Sequence, residues 1–296
     1  MGEGWLRSPA LTDAVLEKDR EVRALEAELE ARLDGSPHRD YLTGRALVNE
    51  LSASYEIELE RLDRTDLYAA AIDYFQLNVR SWSKVEARRR LQAEGSAGMW
   101  ERRVMEAARM LLDGDSEMTP EGICCLHEAA RKEDDGKAWG RFRSVQVGVY
   151  GDFGRLVYLA PPPLLVAPLM DRFCEWWNGE REALPLSAGS ALAHLFFVVI
   201  HPFEDGNGRM SRLLALRALH PRNAQARLKP YAVSPAIYDS LGEYYDTLHR
   251  ADLARGGDDL LPFVEFIQGA QIRGLRWSLQ TLDEREGKEG GEEGEA

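Results

Sequence analysis

The stretch LAHLFFVVI, residues 192–200, is the longest apolar run in the chain and is interrupted only by His194. It falls well short of the roughly eighteen continuous apolar residues a membrane span needs, so it reads as a buried helix. The chain then changes character abruptly. HPFEDGNGR, residues 201–209, brings a histidine, two acids, two glycines, an asparagine and an arginine directly after the apolar residues. Such a stretch is poor material for a core, and a polar turn at the mouth of a buried helix is where chemistry can be placed.

The other helical patterns surround this one. Leu11, Val15, Leu25, Leu29 and Leu33 are spaced for one face of a helix, which Asp34, Gly35 and Pro37 then break. A second helix is expected over about 42–62, with Leu47, Leu51, Tyr55, Leu59 and Leu62 as its stripe. Helical patterns continue through residues 66–92 and 98–112, and Thr119 followed by Pro120 is a helix start signal. Val145, Val147 and Val149 alternate before YGDFG, and Leu156, Val157, Tyr158 and Leu159 come after it, which predicts a β-hairpin and the one convincing strand pair. Helices resume in LLVAPLMDRFCEWWN, in RMSRLLALRAL and in two further C-terminal patterns. The expected class is mainly α, a helical bundle with one hairpin.

Composition removes several classes. A formal net charge of −13 argues against a nucleic-acid binder, because phosphate contacts need a basic surface. No basic segment followed by an apolar one opens the chain, and Leu6 stands where a myristoylation site wants Ser or Thr, so a cytoplasmic protein without a membrane anchor is expected. Cys124, Cys125 and Cys174 make neither a disulfide framework nor a zinc spacing and read as reduced core thiols. A nucleophilic pair of one of them with His127 is disfavoured, since near neighbours on a helix rarely face each other. The closing DEREGKEGGEEGEA offers nothing apolar to bury and reads as a disordered acidic tail.

The loop after Ile200 assembles complementary groups. Gly206, Asn207 and Gly208 fall where a helix leaves its first N–H groups without partners, and glycines let an anion approach them closely. Arg209 and Arg212, three apart, both reach such an anion. Asp205 is a hard oxygen ligand beside it, of the kind a phosphate-bound Mg²⁺ takes. His201 accepts a proton near neutral pH, and apolar Phe203 fastens the loop into the core.

HPFEDGNGRMSR, residues 201–212, resembles the signature of Fic-domain proteins at every defined position. GRFRSVQVGVY resembles that family's Gly-x-Phe-Arg segment and flap, and the likeness extends over roughly residues 120–270. The resemblance implies the Fic fold, with the hairpin as a flap next to the active-site loop. It implies transfer of AMP from ATP, with Mg²⁺, to a Ser, Thr or Tyr hydroxyl of a protein substrate. His201 would be the base, Asp205 the metal ligand, Gly206, Asn207 and Gly208 the anion hole, and Arg209 and Arg212 the phosphate clamps. Leu156, Val157, Tyr158 and Leu159 would dock the target as an added strand. Gly208 is intact where the kinase-like branch differs, which favours nucleotidyl transfer, while a phosphocholine-transferring branch stays open.

Many Fic proteins carry an inhibitory helix with the pattern Ser/Thr-x-x-x-Glu-Gly/Asn. Ser52 and Glu56 match its spacing, with Ile57 departing from it, and by analogy Glu56 would pair with Arg212. The expected organisation is residues 1–118 as a helical region carrying this brake, 119–270 as the Fic core, and 271–296 as a helix end and tail. Two rival readings remain: an enzyme that removes AMP from a modified protein, or performs both reactions, and a nucleotide-binding scaffold without turnover. A homodimer is compatible with the chain, whose oligomeric state the sequence does not fix.

Overall fold

The computed structural model describes residues 6–77, 98–113, 117–130, 138–150, 155–220, 228–254 and 258–292. Its elements are α1 (Asp13–Leu33), α2 (Arg39–Ile57), α3 (Arg64–Phe75), α4 (Met99–Asp113) and α5 (Pro120–Ala129), then β1 (Gly148–Tyr150) and β2 (Leu156–Leu159). After the hairpin come α6 (Val166–Asn178), α7 (Leu186–Ile200), α8 (Asn207–Ala218), α9 (Ser234–Tyr238), α10 (Leu241–Ala254) and α11 (Leu261–Glu292). Mainly helical with one antiparallel strand pair among the described residues, the fold is the one the patterning predicts.

Helix α7 is the axis of the bundle. Every residue from Ser187 to Phe197 is buried, as a helix apolar on all sides requires. Phe196 and Phe197 meet Trp176 and Phe173 of α6, with ring centroids 4.9 and 5.7 Å apart. α8 folds back along α7, and α1 packs lengthwise on α11. The N-terminus of α7 is tied to both of these outer helices through buried polar groups. Ser187 Oγ donates to Asp19 at 2.7 Å and accepts from Gln268 at 2.9 Å, while Gln271 donates to the Ser187 carbonyl at 3.2 Å. A smaller core, built from Leu47, Leu51, Tyr55, Leu67, Met105 and Leu112, joins α2, α3 and α4.

Three expectations change. α2 ends at Ile57 rather than near residue 62, and Leu59, assigned to its apolar stripe, is 95% exposed at φ 59°. α11 runs on through Glu292 into the expected acidic tail, and Asp283 and Glu286, at the tail's start, pair with Arg32 of α1 at 2.8 and 2.6 Å. Of the three expected core thiols, Cys125 is exposed, while burial raises Cys124 to about 11 and Cys174 to about 12. The part of the expected 66–92 helix beyond Leu77 and the hairpin loop at 151–154 lie outside the described residues.

α9 was hidden in the sequence by its five-residue length. Buried Glu50 of α2 accepts the Val233 and Ser234 N–H groups at 2.6 and 2.8 Å, and so caps it. At Gly274 of α11 an added Cβ would lie 2.0 Å from the Ala232 carbonyl oxygen, so the approach of these segments requires glycine.

His220, at the end of α8, is held neutral. It donates through Nδ1 to the Leu216 carbonyl at 3.0 Å and accepts the Lys229 N–H at Nε2, 3.1 Å away, and burial lowers it to about 4. The unfolded chain therefore binds a proton below about pH 6.5 that the folded chain refuses until about pH 4. Stability is expected to fall as pH drops through that window, by about 2 kcal/mol between pH 7.5 and 5 for this group alone. Urea titrations at the two pH values check it: His220→Asn shows a smaller pH difference than the parent chain.

Candidate active site

The active-site loop is set by two left-handed residues. His201 closes α7 at φ 52°, ψ 57°, with its N–H still bonded to the Phe197 carbonyl at 3.0 Å, and Pro202 prevents the helix from continuing. Gly206 reopens the chain into α8 at φ 81°. Between them Phe203 is fully buried, as expected of the loop anchor. The side chain of Asn207 has a part beyond the anion hole expected of its backbone. It is 2% exposed and both accepts the Phe203 N–H and donates to the Phe203 carbonyl, each at 2.9 Å, so it staples the loop. What Asn207 offers an anion is its backbone. As the first residues of α8, Asn207, Gly208 and Arg209 have N–H groups with no carbonyl inside the helix to bond.

His201 is arranged as a base. Nδ1 donates to the Val198 carbonyl at 3.2 Å, which places the proton there and leaves the Nε2 lone pair available. Burial dominates its titration and lowers it to about 4, with Arg143 lowering it further and Glu58 and Asp205 opposing. It is therefore neutral at physiological pH. Asp205 Oδ1 accepts the Gly206 N–H at 2.6 Å and Arg209 at 3.1 Å. Among the described residues no group of three or more metal-ligating side chains converges, and Asp205 would offer a cation one protein carboxylate, its other ligands to come from phosphate and water. That ligand set suits Mg²⁺ rather than a metal that needs a protein cage.

Both motif arginines are already engaged. Arg209 pairs with Glu60 at 2.6 Å and lies over the rings of Tyr55 and Trp139, at 5.1 and 5.5 Å from their centroids. Arg212, 2% exposed, donates from Nε to Ser54 Oγ at 2.8 Å, and from one terminal nitrogen to the Ser54 carbonyl at 2.6 Å and Glu58 at 2.8 Å. The carboxylate on Arg212 is therefore Glu58, where Glu56 was expected, and the serine is Ser54, where Ser52 was expected. Ser52 is buried in α2, its Oγ without a hydrogen bond among the described residues.

The Ser-x-x-x-Glu spacing occurs twice in SASYEIE, and backbone geometry chooses between the two. Glu58 is the C-cap of α2, and Leu59 after it adopts the left-handed φ that the pattern's Gly or Asn would take without strain. Glu58 also lies on the anion cradle itself: a Cβ added to Gly208 would sit 2.1 Å from Glu58 Oε1. A carboxylate already rests where this helix N-terminus would receive a phosphate.

The flap borders this site. β1 and β2 pair Gly148 with Leu159 and Val149 with Tyr158, with a bulge before Tyr150 opposite Leu156. Leu156, Val157 and Leu159 are 44%, 42% and 60% exposed, an apolar surface on a two-stranded sheet. Tyr158 turns inward, its hydroxyl donating to the Val199 carbonyl and its ring 5.8 Å from that of His201. Arg143, missed among the site residues, joins the flap to the loop. It donates to the carbonyls of His201 at 2.7 Å, Val145 at 3.1 Å and Pro161 at 2.6 Å, one guanidinium reaching both ends of the hairpin. Its signal was the Gly-x-Phe-Arg segment itself, residues 140–143.

Known proteins resemble this chain in sequence and in fold. The Fic/DOC family matches residues 117–219. The protein adenylyltransferase Fic of Drosophila grimshawi is 38% identical over 173 residues, covering 57% of this chain and 32% of that protein. That of Culex quinquefasciatus is 33% identical over 176 residues, covering 59% and 32%. The chain thus spans about a third of the length of these curated relatives. Among solved structures, a Fic family protein from Desulfovibrio desulfuricans superposes with a TM-score of 0.69 at 25% identity, covering 93% of this chain and 77% of that one. Fic-1 from C. elegans, at 21% identity and a TM-score of 0.60 over 91% and 73%, shares the fold.

Proposed function

We propose that the chain, whose residues 117–219 match the Fic/DOC family, transfers AMP from ATP to a hydroxyl of a protein side chain, restrained by Glu58. The observation that carries the reading is a neutral, Nε2-accepting His201 at the mouth of a helix N-terminal anion cradle flanked by two buried arginines. The target hydroxyl gives its proton to His201 Nε2 as its oxygen bonds to the α-phosphorus. The bond from that phosphorus to the bridging oxygen breaks, and pyrophosphate leaves with its charge held by Arg209, Arg212 and the first N–H groups of α8. Asp205 would hold Mg²⁺, which when bound offsets phosphate charge. The open edge of the flap offers backbone groups and apolar side chains to an extended target segment.

Because Glu58 and Glu60 occupy both arginines, the nucleotide must displace them before the phosphates seat. Glu58, 37% exposed and against the cradle, also supports a second reading, in which it orients a water that removes AMP from a modified protein.

ATP labelled at either the α- or the γ-phosphate, supplied with Mg²⁺ and a lysate, tests the reaction. Retention of the α-label alone on protein is the expected result. Retention of the γ-label would make the enzyme a kinase, and retention of neither by the Glu58→Gly variant would overturn transfer.

A further inference from the structure

The helix α5 carries a histidine with no part in the chemistry above, and its surroundings are unusually well defined. The imidazole of His127 lies flat on Phe203, with ring centroids 3.6 Å apart and planes 2° from parallel, and Trp139 stacks near it at 4.5 Å. Nδ1 accepts the Gly140 N–H at 3.0 Å, so the ring's proton is on Nε2, which donates to the Asp205 carbonyl at 3.0 Å. The ring is 1% exposed. Gly206 presses on the same ring: a Cβ there would stand 3.1 Å from Nε2.

We infer that His127 is the positioning residue of the anion cradle, holding the 205–206 peptide so that the N–H groups opening α8 face the phosphates. Three independent constraints converge on one peptide. The Asp205 carbonyl is fixed by Nε2–H, Gly206 is forced left-handed beside the ring, and Phe203 is clamped beneath it. The Asp205 carboxylate takes its direction from that peptide, so the same contact orients the metal ligand. Through Gly140 the ring also ties the cradle to the segment that begins the flap, three residues before Arg143. A peptide free to rotate would scatter donors that must be in place before the α-phosphorus is attacked. Such misplacement by about 1 Å costs on the order of a hundredfold in rate.

The inference rests on the proposed transfer only for its kinetic readout, so its test has two arms, run in the Glu58→Gly background. His127→Phe keeps the stack on Phe203 and removes both hydrogen bonds, and His127→Gln restores a donor toward the Asp205 carbonyl. In the first arm, amide hydrogen exchange across residues 203–208 is expected to accelerate about tenfold in the Phe variant and return toward the parent in the Gln variant, with the melting temperature lowered by several degrees at most. In the second, kcat falls about thirtyfold or more in the Phe variant, KM for ATP stays within about threefold, and Gln recovers most of kcat. Unchanged loop exchange in His127→Phe, or a loss of kcat that tracks lost melting temperature and is not recovered by Gln, would overturn the inference. If the Glu58→Gly parent transfers no AMP at all, the reading of the activity fails while the exchange arm still decides the role of His127.

Discussion

Glu58→Gly is expected to raise AMP transfer about tenfold to a hundredfold over the unaltered chain, and Glu56→Gly to leave it within about twofold. The magnitude comes from the bond the carboxylate makes. A hydrogen bond to a charged group is worth about 1.5–3 kcal/mol, and each 1.4 kcal/mol is a factor of ten in the fraction of arginine free to take a phosphate. The side chain of Glu58 is 37% exposed, which screens the pair and sets the expectation toward the lower end. Arg212 keeps its bonds to Ser54 after the change, so the guanidinium stays in place, and Gly208 gains an open approach. Glu60 continues to hold Arg209, and Glu60→Ala added to Glu58→Gly is expected to raise transfer further. Glu56 sits in the last turn of α2, and glycine there costs helix stability of about 1 kcal/mol without touching Arg212. Labelled protein from α-labelled ATP, read beside calorimetric ATP affinity, checks the pair of variants. Activation by Glu56→Gly with none by Glu58→Gly would return the brake to the residue that spacing alone picks.

That contrast shows where sequence reasoning reached and where it stopped. The loop from His201 to Arg212 was legible because its chemistry is written in consecutive residues, and the backbone of a helix N-terminus follows from chain direction alone. The central helix was legible because an apolar run of that length has nowhere to go but inside. The carboxylate that meets Arg212 was not, because choosing between Ser52/Glu56 and Ser54/Glu58 requires knowing where α2 ends. Leu59 fits the apolar stripe in the sequence and turns left-handed and outward in the fold, so the period continued past the helix that produced it. The tail failed for the converse reason. Its Gly and Glu residues carry no apolar face, yet Arg32 on α1 supplies a partner that no local pattern could announce. His127 was weighed against its cysteine neighbours in sequence, whereas its partners, Phe203 and Asp205, come from the far side of the hairpin.

The remaining large effect concerns His201. His201→Ala in the Glu58→Gly background is expected to lower kcat by about 10² to 10⁴, the span a positioned general base contributes, with ATP affinity nearly unchanged. Affinity would be spared because the proposed mechanism has the phosphates held by α8 and its arginines, while the imidazole faces the hydroxyl. The pH profile gives a second signature. An ordinary histidine would switch off transfer below about pH 6.5, but burial holds His201 neutral down to about 4. Since the neutral form is the active one, the acid limb should move down with the group, leaving kcat nearly flat from pH 8 to about 5 wherever the fold survives. The tautomer matters as much as the charge. Nδ1–H is committed to the Val198 carbonyl, so Nε2 is the nitrogen that meets the hydroxyl. His201→Asn approximates Nδ1 and has nothing at Nε2, so it should be as inactive as alanine. An Asn variant that retained transfer, or an acid limb near 6.5 in a folded chain, would take the base away from His201.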